Sequence, residues 1–518
     1  MTAWVELGLA AALAAASVAL RLAPVLGHGE FGGADAAYHR WYIGLIRANG
    51  GALPETDPRV LGPGTCTYPA LFHWLLARLP PAAVDRFGRF GGLAMDAASG
   101  AAIALAAAAV SPMPHWTVVV IGALHLIAPA LTFSFIGPRA FSLTPRAFAQ
   151  TAYTVAVLPL VLGAGATGVP APLVHAVSVA ALAAALLSAK FALQHVLFTA
   201  PVAALAGFPE LLFTALAAAL VAQAASRGFF LRQIRGHLDH LVWYWRLNRH
   251  FVSARGDWKR LLKAISAGDL RVVTSEMLVQ NAVIVGVVRN LPSFVAIGLA
   301  ARAMRGAPET HALALTLAAV IPWLATSFGA LRVLGEPERY LEYAWPTGWL
   351  LLWTTLGPGA RAPAALLLTL FFVGFYLANL TLIARHRRRY PPGQREPVLA
   401  ALRDAGDAVV LPLDIAEMPF LLAETRARVV GPCCQHSLRG EGAAYFPWFF
   451  SRFPFVSATN LPAILHRYEP DYLLLTDAAR AAAAAERPGG YDLAGFVEVA
   501  ASGPFRLLRR LPGAASPP

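Results

Sequence analysis

Residues 27–69 read GHGEFGGADAAYHRWYIGLIRANGGALPETDPRVLGPGTCTYP, a long polar insertion in an N-terminal half that is otherwise hydrophobic. After Ala34, residues at helical spacing place a carboxylate, an imidazole and two phenols on one face of a short amphipathic helix. These side chains belong to Asp35, Tyr38, His39 and Tyr42. The pattern predicts a helix lying flat on the bilayer surface, with Asp35 as the candidate catalytic residue of an active-site loop over residues 27–80.

The composition places the chain among membrane proteins. Of its 518 residues, 57% are apolar, and the mean hydropathy is +0.56. Soluble globular domains are about 45–50% apolar, and several runs here approach the roughly 20 residues that cross a bilayer. The net charge of +13 comes from arginines that cluster at helix ends, where membrane orientation and lipid phosphate explain them. A nucleic-acid partner is therefore not expected.

The spacing of the apolar runs predicts a mainly α, polytopic membrane protein with about 10–12 transmembrane helices. The predicted spans lie near residues 3–26, 87–110, 116–136, 147–162, 173–189, 282–301, 313–331, 343–356 and 363–384. Two shorter runs, 193–206 and 211–225, either both cross the membrane or together form one broken element. A basic, aromatic segment at 227–263 interrupts them and is typical either of interfacial amphipathic helices or of a cytoplasmic loop that obeys the positive-inside rule. The multi-span domain is expected to cover residues 1–389 and to end at the basic run Arg385–Arg389.

The remaining residues, 390–518, have a different pattern. Short apolar runs at 408–413, 428–431, 472–476 and 496–511 alternate with helical ones, and Gly503-Pro504 predicts a turn inside the last. These features predict a small soluble α/β domain. Neither a GxxxxGK[ST] loop nor a GxGxxG turn is present, which disfavours an ATP-driven transporter. The cysteines, Cys66, Cys433 and Cys434, do not have metal-ligand spacing.

Two segments resemble a known superfamily. ADAAYHRWYIGLIRANGGALPETDP (34–58), followed by TYPALFHWLLARLP (67–80), resembles the first extracytoplasmic loop of the GT-C glycosyltransferases, which use polyprenyl-phosphate sugars. That superfamily includes the protein mannosyltransferases and the aminoarabinose transferases. The matching features are Asp35 with Tyr38 and His39, the Gly50 to Pro58 stretch, and Tyr68-Pro69. In GEPERYLEYAWPTGWLLL (335–352), Arg339, Tyr340 and Pro346 resemble the entry to a late span in bacterial members.

The resemblance implies an inverting glycosyltransferase of a bacterial inner membrane, with its active site on the periplasmic side. The donor would be a polyprenyl-phosphate-linked sugar, and the acceptor a lipid, a glycan or a protein. Asp35 would act as the general base on the acceptor hydroxyl. A guanidinium fork suits the leaving lipid phosphate, and Arg339 is the first candidate, followed by Arg139 and Arg146.

Other side chains are expected to complete the substrate-binding set, namely Glu30, Tyr38, His39 and Tyr340. His39 would orient Asp35 or the donor phosphate, although an ordinary partly exposed interfacial histidine is the alternative. Glu30 would share the site or remain solvated in its glycine-rich loop. The glutamates around Arg339 are expected to pair with it and fix its orientation; these are Glu336, Glu338 and Glu342.

The sequence also departs from some relatives. It has no Trp-Trp-Asp motif of the oligosaccharyltransferase subunits, so transfer of a whole oligosaccharide to asparagine is not expected. The loop after the third span lacks the acidic pair that metal-dependent relatives use, so a metal-independent enzyme is favoured over one assisted by a divalent ion, and no cofactor is certain.

Two points stay open at this stage. The basic run Arg385–Arg389 favours a cytoplasmic position for the C-terminal domain, whereas the resemblance and a count of eleven spans, within the about 10–12 expected, put that domain outside the cytoplasm. Two other functions also fit the composition: a transporter or flippase of a lipid-linked glycan, and a non-catalytic membrane protein of envelope assembly. In every case membrane lipids are expected partners.

Overall fold

The computed structural model describes residues 3–513 except 29–32, 133–141, 249–257, 276–280, 304–305, 329–330, 332–333, 336, 390–392 and 433–436. The chain divides into two compact units. The first unit comprises Met1–Phe31, Leu79–Phe230 and Arg249–Thr381. The second unit comprises Gly32–Arg78, Leu231–Asn248 and Leu382–Pro518. Packing therefore groups most of the polar insertion and part of the basic segment with the C-terminal residues, while the domain boundary at residues 389 and 390 stays a prediction.

Helices account for most of the described chain. Those of its first half are α1 (Ala3–His28), α2 (Ala34–Ala48), α3 (Leu71–Ala77), α4 (Pro81–Val110), α5 (His115–Leu126), α6 (Pro129–Thr132), α7 (Pro145–Thr167), α8 (Ala171–Leu186), α9 (Lys190–Leu205), α10 (Glu210–Ala225) and α11 (Phe229–Trp243), followed by a π-helical turn (Tyr244–Asn248). Those of its second half are α12 (Trp258–Ser266), α13 (Leu270–Ser275), α14 (Ala282–Arg289), α15 (Leu291–Ala303), α16 (Ala307–Ser327), α17 (Glu338–Thr355), α18 (Pro358–Arg389), α19 (Glu396–Asp404), α20 (Met418–Glu424), α21 (Glu441–Phe449), α22 (Leu461–Tyr468) and α23 (Asp477–Glu486).

The predicted polytopic helical architecture is confirmed. Among the described residues, six helices are long and apolar enough to cross a membrane: Trp4–Gly27, Pro81–Val110, His115–Thr132, Pro145–Gly165, Ala307–Ser327 and Pro358–Arg385. The number rises to eight if the pairs 210–225 with 229–247 and 283–289 with 291–302 each form one span. This number is below the about 10–12 expected. The apolar helices α8 and α9 have only 16 residues each, and α17 carries three charged residues at its start.

Helix α17 lies in the core of the first unit. Its residues 340–353 are all buried, as expected for a helix that packs against neighbours all round, here α4, α15 and α16. Trp345 and Trp349 stack with their ring centroids 5.1 Å apart. The indole N–H of Trp345 donates to Nδ1 of His125 at 3.1 Å, and that of Trp349 donates to the Ile121 carbonyl at 3.3 Å, which satisfies two polar atoms that burial would otherwise penalise.

The second unit contains the sheet that the C-terminal pattern predicts. Its strands are β1 (Val409–Pro412), β2 (Arg428–Val429), β5 (Tyr472–Thr476), β6 (Phe496–Ser502) and β7 (Phe505–Arg510), and a separate pair is formed by β3 (Phe450–Arg452) and β4 (Phe455–Val456). The order is β2-β1-β5-β7-β6, with β2, β1 and β5 parallel and β7 antiparallel to both neighbours. Gly503, with φ of 55°, makes the tight turn between β6 and β7.

The polar insertion extends this sheet beyond its β2 edge. Leu61 donates its N–H to the Val429 carbonyl at 2.9 Å, and Val429 donates to the Arg59 carbonyl at 2.6 Å, so Val60 and Val429 pair in parallel. The Arg59 guanidinium donates to the carbonyls of Leu422 and Thr425 at 3.0 and 3.2 Å. The insertion is therefore hydrogen-bonded into the fold of the C-terminal residues.

Helix α2 is amphipathic as predicted and packs its apolar face against protein, while its position relative to the bilayer stays a prediction. His39, Tyr42 and Ile46 are buried, because that face packs against α3 and α20. The first turn of α2 differs, since Asp35 is exposed. The amphipathic pattern was real, but its apolar stripe is covered by protein.

Part of the basic segment is also packed into the second unit. Trp243 is buried and meets the ring of Phe453 edge to face, with centroids 4.8 Å apart. Arg232 pairs with Glu55 of the insertion at 2.7 Å, and Arg439 pairs with Asp239 at 2.9 Å. These contacts hold residues 231–248 against both the insertion and the C-terminal residues.

Candidate active site

Asp35, the candidate catalytic residue, lies in the first turn of α2. It is the second residue of α2, whose N-cap residue is Gly33, and it is exposed. The unpaired N–H groups at a helix N-terminus carry partial positive charge, which stabilises an anionic side chain in the first turn. The fold thus presents Asp35 as an exposed side chain at the start of a helix whose other side is packed against protein.

A cluster of aromatic side chains packs α2 against the segment that contains Tyr68 and His73. The ring of Tyr38 lies edge-on to that of Tyr68 at a centroid distance of 5.3 Å, and Tyr42 lies edge-on to His73 at 4.9 Å. His39 is buried, and its Nδ1 is 2.9 Å from Nε2 of His73. The structure therefore brings the predicted residues Tyr38 and His39 together with the segment that contains Tyr68-Pro69.

Hydrogen bonds define the tautomers of the histidine pair. His73 Nδ1 is 3.1 Å from the Pro69 carbonyl, which can only accept, so Nδ1 carries the proton. Neutral His73 then accepts at Nε2, and His39 donates from Nδ1. Burial lowers the pKa of His73 to about 3, and burial followed by the charge of His73 lowers the pKa of His39. Both rings are consequently neutral at physiological pH, and His39 is engaged with His73.

In the first unit, Arg146 forms an ion pair that joins two helices. It lies at the start of α7, where the Thr144 hydroxyl caps the helix by accepting the Arg146 N–H. Its Nη2 is 2.6 Å from Oε1 of Glu342 on α17. Gln150, one turn along α7, donates to the Glu342 backbone carbonyl. The sequence predicts that the glutamates around Arg339 pair with Arg339 itself, whereas this ion pair joins Glu342 to Arg146. Glu336 lies outside the described residues, and the pairing of Arg339 with these glutamates stays a prediction.

Arg339 and Tyr340 occupy the first turn of α17. The Arg339 guanidinium lies over the ring of Phe191, with Cζ 4.6 Å from the centroid, which is cation–π geometry. Arg339 and Glu342 are three residues apart and so share a helix face. Tyr340 is buried beside Phe191 and Phe198, and its hydroxyl donates to the Leu334 carbonyl at 3.3 Å. Its role in substrate binding stays a prediction.

Two predicted site residues, Glu30 and Arg139, lie outside the described residues. Cys433 and Cys434 also lie outside them, and Cys66 is a buried free thiol. Within the described part of the chain, no group of three or more His, Cys, Asp or Glu side chains is arranged to hold a metal ion.

Two buried polar partnerships were not predicted. One is the bond between His39 and His73; both residues belong to the segments that carry the family resemblance, but they are 34 positions apart. The other is the ion pair of Arg21 and Asp96 at 2.9 Å, where both side chains are almost fully buried. A charged residue in each of two apolar spans is a signal that would have indicated this pair, because such residues inside a membrane protein usually pair with each other.

Comparison with known proteins identifies solved structures with a similar fold. No protein-family model and no curated protein matches the sequence. Among solved structures, ArnT from Cupriavidus metallidurans in the apo state matches with 11% identity and a TM-score of 0.57, over 99% of each chain. ArnT bound to undecaprenyl phosphate matches with 12% identity and a TM-score of 0.54, again over 99% of each chain.

The fold of this chain is similar to that of ArnT. The expected architecture, a polytopic helical part with a small C-terminal α/β part, is therefore confirmed, and the similarity in fold extends over both units of the chain. The chain is an integral membrane protein, as its apolar helices and the ArnT-like fold require. At 11–12% identity the likeness to ArnT concerns the fold, so the roles of individual side chains must be argued from their chemistry.

Proposed function

We propose that the protein is a membrane glycosyltransferase that moves one sugar from a polyprenyl-phosphate carrier to a lipid, glycan or protein acceptor. The observation that carries the proposal is the ArnT-like fold over 99% of both chains, combined with an exposed aspartate at the start of α2. The ArnT structure that contains undecaprenyl phosphate supports a carrier of that class for this chain. The reaction is proposed to take place on the periplasmic side of a bacterial inner membrane, as the resemblance of the loop at residues 27–80 to an extracytoplasmic loop implies.

Asp35 acts as the general base. As the acceptor hydroxyl attacks the anomeric carbon of the donor sugar, its proton passes to the Asp35 carboxylate. The new carbon–oxygen bond forms while the bond to the phosphate oxygen breaks, and the polyprenyl phosphate leaves with the bonding electrons. A single displacement of this kind inverts the anomeric configuration. The exposed position of Asp35 supports this role, because an acceptor can reach it without rearrangement of the buried face of α2.

Arginine side chains stabilise the negative charge that develops on the phosphate. Arg339 is the first candidate, because cation–π contact with Phe191 holds its guanidinium in place. Arg146 is partly neutralised by Glu342 and would bind phosphate less strongly. Arg139, Glu30, Tyr38, His39 and Tyr340 complete the proposed substrate-binding set. Charge on the phosphate is balanced by guanidinium groups in this scheme, so it does not require a metal ion.

The test is transfer by the full-length protein in nanodiscs. Lipid-linked sugars extracted from a bacterial membrane serve as donor, and release of undecaprenyl phosphate is the readout. Asp35→Asn keeps the size of the side chain and removes the base, so we expect a loss of about 10²–10⁴-fold in turnover with unchanged binding of undecaprenyl phosphate. Asp404→Asn, an exposed aspartate on α19, is the matched control and should retain full activity.

Other outcomes favour the competing functions. If the wild type releases no undecaprenyl phosphate and Asp35→Asn moves a lipid-linked glycan across the bilayer at an unchanged rate, the protein is a transporter or flippase. A scaffold of envelope assembly would tolerate both Asp35→Asn and Arg339→Ala in a complementation assay. The side of the membrane is tested by labelling single cysteines placed near Asp35 and in residues 393–513, on a background without Cys66, Cys433 and Cys434. Labelling of both positions from outside is the expected result.

A further inference from the structure

A pocket of about 660 Å³ opens within the second unit, between the edge segment 61–63 and the helices α21 and α22. Its volume lies within the roughly 300–1,000 Å³ of typical small-molecule sites. The wall combines three aromatic rings with one carboxylate and one guanidinium; these belong to Tyr445, Trp448, Tyr468, Glu441 and Arg467. None of these residues takes part in the chemistry proposed for Asp35.

The aromatic side chains form a rigid wall. Tyr445 is buried and stacks on Phe449 with centroids 4.9 Å apart, and the ring of Trp448 lies edge-on to Tyr445 at 5.9 Å. Trp448 and Tyr468 are only partly buried, so part of each ring borders the pocket. Burial, followed by the neighbouring Tyr468 phenol, raises the pKa of Tyr445 well above its usual range, so its hydroxyl stays protonated.

The charged groups are held beside these rings. The Cζ atom of Arg467 lies 5.5 Å from the Trp448 centroid and 5.4 Å from the Tyr468 centroid, so cation–π attraction restrains the guanidinium at the pocket wall. Glu441 lies in the first turn of α21 and is exposed, and its charge acts on Tyr468. The pocket therefore presents hydrogen-bond donors on Arg467 and acceptors on Glu441.

The edge segment closes the pocket at close range. A Cβ atom at Gly62 would lie 2.3 Å from the Gly431 carbonyl oxygen and 2.9 Å from the Tyr445 hydroxyl. Residues 61–63 can therefore take this position only because residue 62 has no side chain. The insertion that carries Asp35 thus contributes one wall of the pocket, and the C-terminal residues contribute the others.

We infer that this pocket binds a saccharide and serves as the acceptor-glycan subsite of the transferase. A pyranose ring has apolar C–H faces, which stack on aromatic rings, and an equatorial rim of hydroxyls, which planar carboxylate and guanidinium groups hydrogen-bond in pairs. An acyl chain would form no hydrogen bond with either charged group, so it would use less of this lining than a saccharide does. The assignment of the pocket to the acceptor rests on the proposed function, whereas saccharide binding rests on the pocket alone.

The first test measures saccharide binding to the full-length protein in detergent by saturation-transfer difference NMR. The probes are methyl α-D-glucopyranoside, methyl α-D-mannopyranoside and chitobiose. We expect at least one of them to receive saturation from aromatic protons. Trp448→Ala should weaken that binding by about tenfold and Trp448→Phe by only about threefold, since a smaller ring retains part of the stacking. Arg467→Ala should weaken it by about tenfold through lost charge-assisted hydrogen bonds.

Arg480→Ala is the matched control, because Arg480 is an exposed arginine on α23 and does not line the pocket. It should leave the affinity unchanged. Size-exclusion profiles of all variants should match the wild type, since Trp448 and Arg467 are not buried. Absence of binding for all three probes, or equal binding by Trp448→Ala, Arg467→Ala and the wild type, would overturn the inference even if Asp35→Asn has abolished transfer.

A second measurement decides whether the saccharide that binds in the pocket corresponds to the acceptor or to the donor. In the transfer assay, the saccharide that binds should compete with the acceptor and leave the apparent KM for the lipid-linked donor unchanged. Competition with the donor would overturn the assignment to the acceptor. If the wild type shows no transfer, the proposed function fails, while the binding data still decide whether the pocket takes a saccharide.

Discussion

His39 and His73 share a hydrogen bond of 2.9 Å in the interior of the second unit, and the Pro69 carbonyl determines which nitrogens carry the protons. Protonation of His73 at Nε2 would put an N–H group against the N–H of His39. The pair therefore ties α2, which carries Asp35, to α3 only while His73 is neutral. This relationship makes the packing of α2 depend on pH.

The first prediction concerns that dependence. The pKa of His73 is about 3 in the fold, because burial lowers it from about 6.5. Neutral His73 therefore makes its full contribution to the free energy of unfolding above pH 6.5. This contribution is lost as the pH falls towards 3, by up to about 1.4 kcal/mol per pH unit. Hydrogen exchange of residues 34–48, corrected for intrinsic rates, should show lower protection at pH 5 than at pH 7.5. His73→Gln should reduce this difference, and equal protection at both values would contradict the assignment.

The second prediction concerns the ion pair between Arg146 and Glu342. Both side chains are mostly buried, so removal of one leaves the other charge poorly solvated. We expect Arg146→Ala and Glu342→Ala each to destabilise the first unit, and the double variant to lose less than their sum, with a coupling free energy of about 1–3 kcal/mol. Unfolding in mixed micelles measures the cycle. Additive losses would show that the pair contributes no net coupling.

The third prediction concerns Gly62, whose missing Cβ permits the contact with Gly431 and Tyr445. Gly62→Ala should destabilise the second unit by about 1–3 kcal/mol, because the edge segment must move away from the sheet. Hydrogen exchange at Leu61 and Val429, which form the edge hydrogen bonds, should then accelerate.

Gly44 provides the control for this change. It lies within α2, and a Cβ there would have no atom within 4 Å. Gly44→Ala should therefore be neutral or stabilise the helix by up to about 1 kcal/mol. An equal loss of stability in both variants would mean that the close approach at Gly62 is unimportant.

The fourth prediction concerns Arg21 and Asp96, a buried pair between two apolar spans, α1 and α4. Asp96→Leu leaves the guanidinium without its counter-ion, although Arg21 still donates to the Leu126 carbonyl. We expect a loss of about 3–5 kcal/mol, seen as a lower yield of monodisperse protein. The double variant Arg21→Met with Asp96→Leu should recover most of the yield. If the yield of the double variant is as low as that of Asp96→Leu, the two charges have a role beyond neutralising each other.

Much of the secondary structure could be predicted from the sequence. The run at 472–476 is a strand with those bounds, and the turn at Gly503-Pro504 joins β6 to β7 as predicted. Helix α4 begins at Pro81, several residues before the predicted start near Phe87, since charged residues hid its first turns. Such elements follow from the period of apolar residues and from turn-forming residues, which act over a few positions.

The surroundings of the candidate site could be predicted from the sequence only in part. The sequence indicated that Asp35 begins a helix, which is a local property. It did not indicate that the buried face of this helix meets α3 and α20, or that His39 bonds to His73. An amphipathic stripe specifies that something apolar covers it, and both a bilayer and a protein surface meet that requirement.

The sequence by itself determined that this protein is a polytopic, mainly helical membrane protein with a small C-terminal sheet, because length, hydropathy and periodicity are sums over neighbouring residues. Only the tertiary structure decided that Val60 pairs with Val429 and that Arg146 finds Glu342, across 196 positions in the second case. Hydrogen bonds and ion pairs of this kind depend on which surfaces the folded chain brings together, and many carboxylates in the sequence could have served any one arginine equally well.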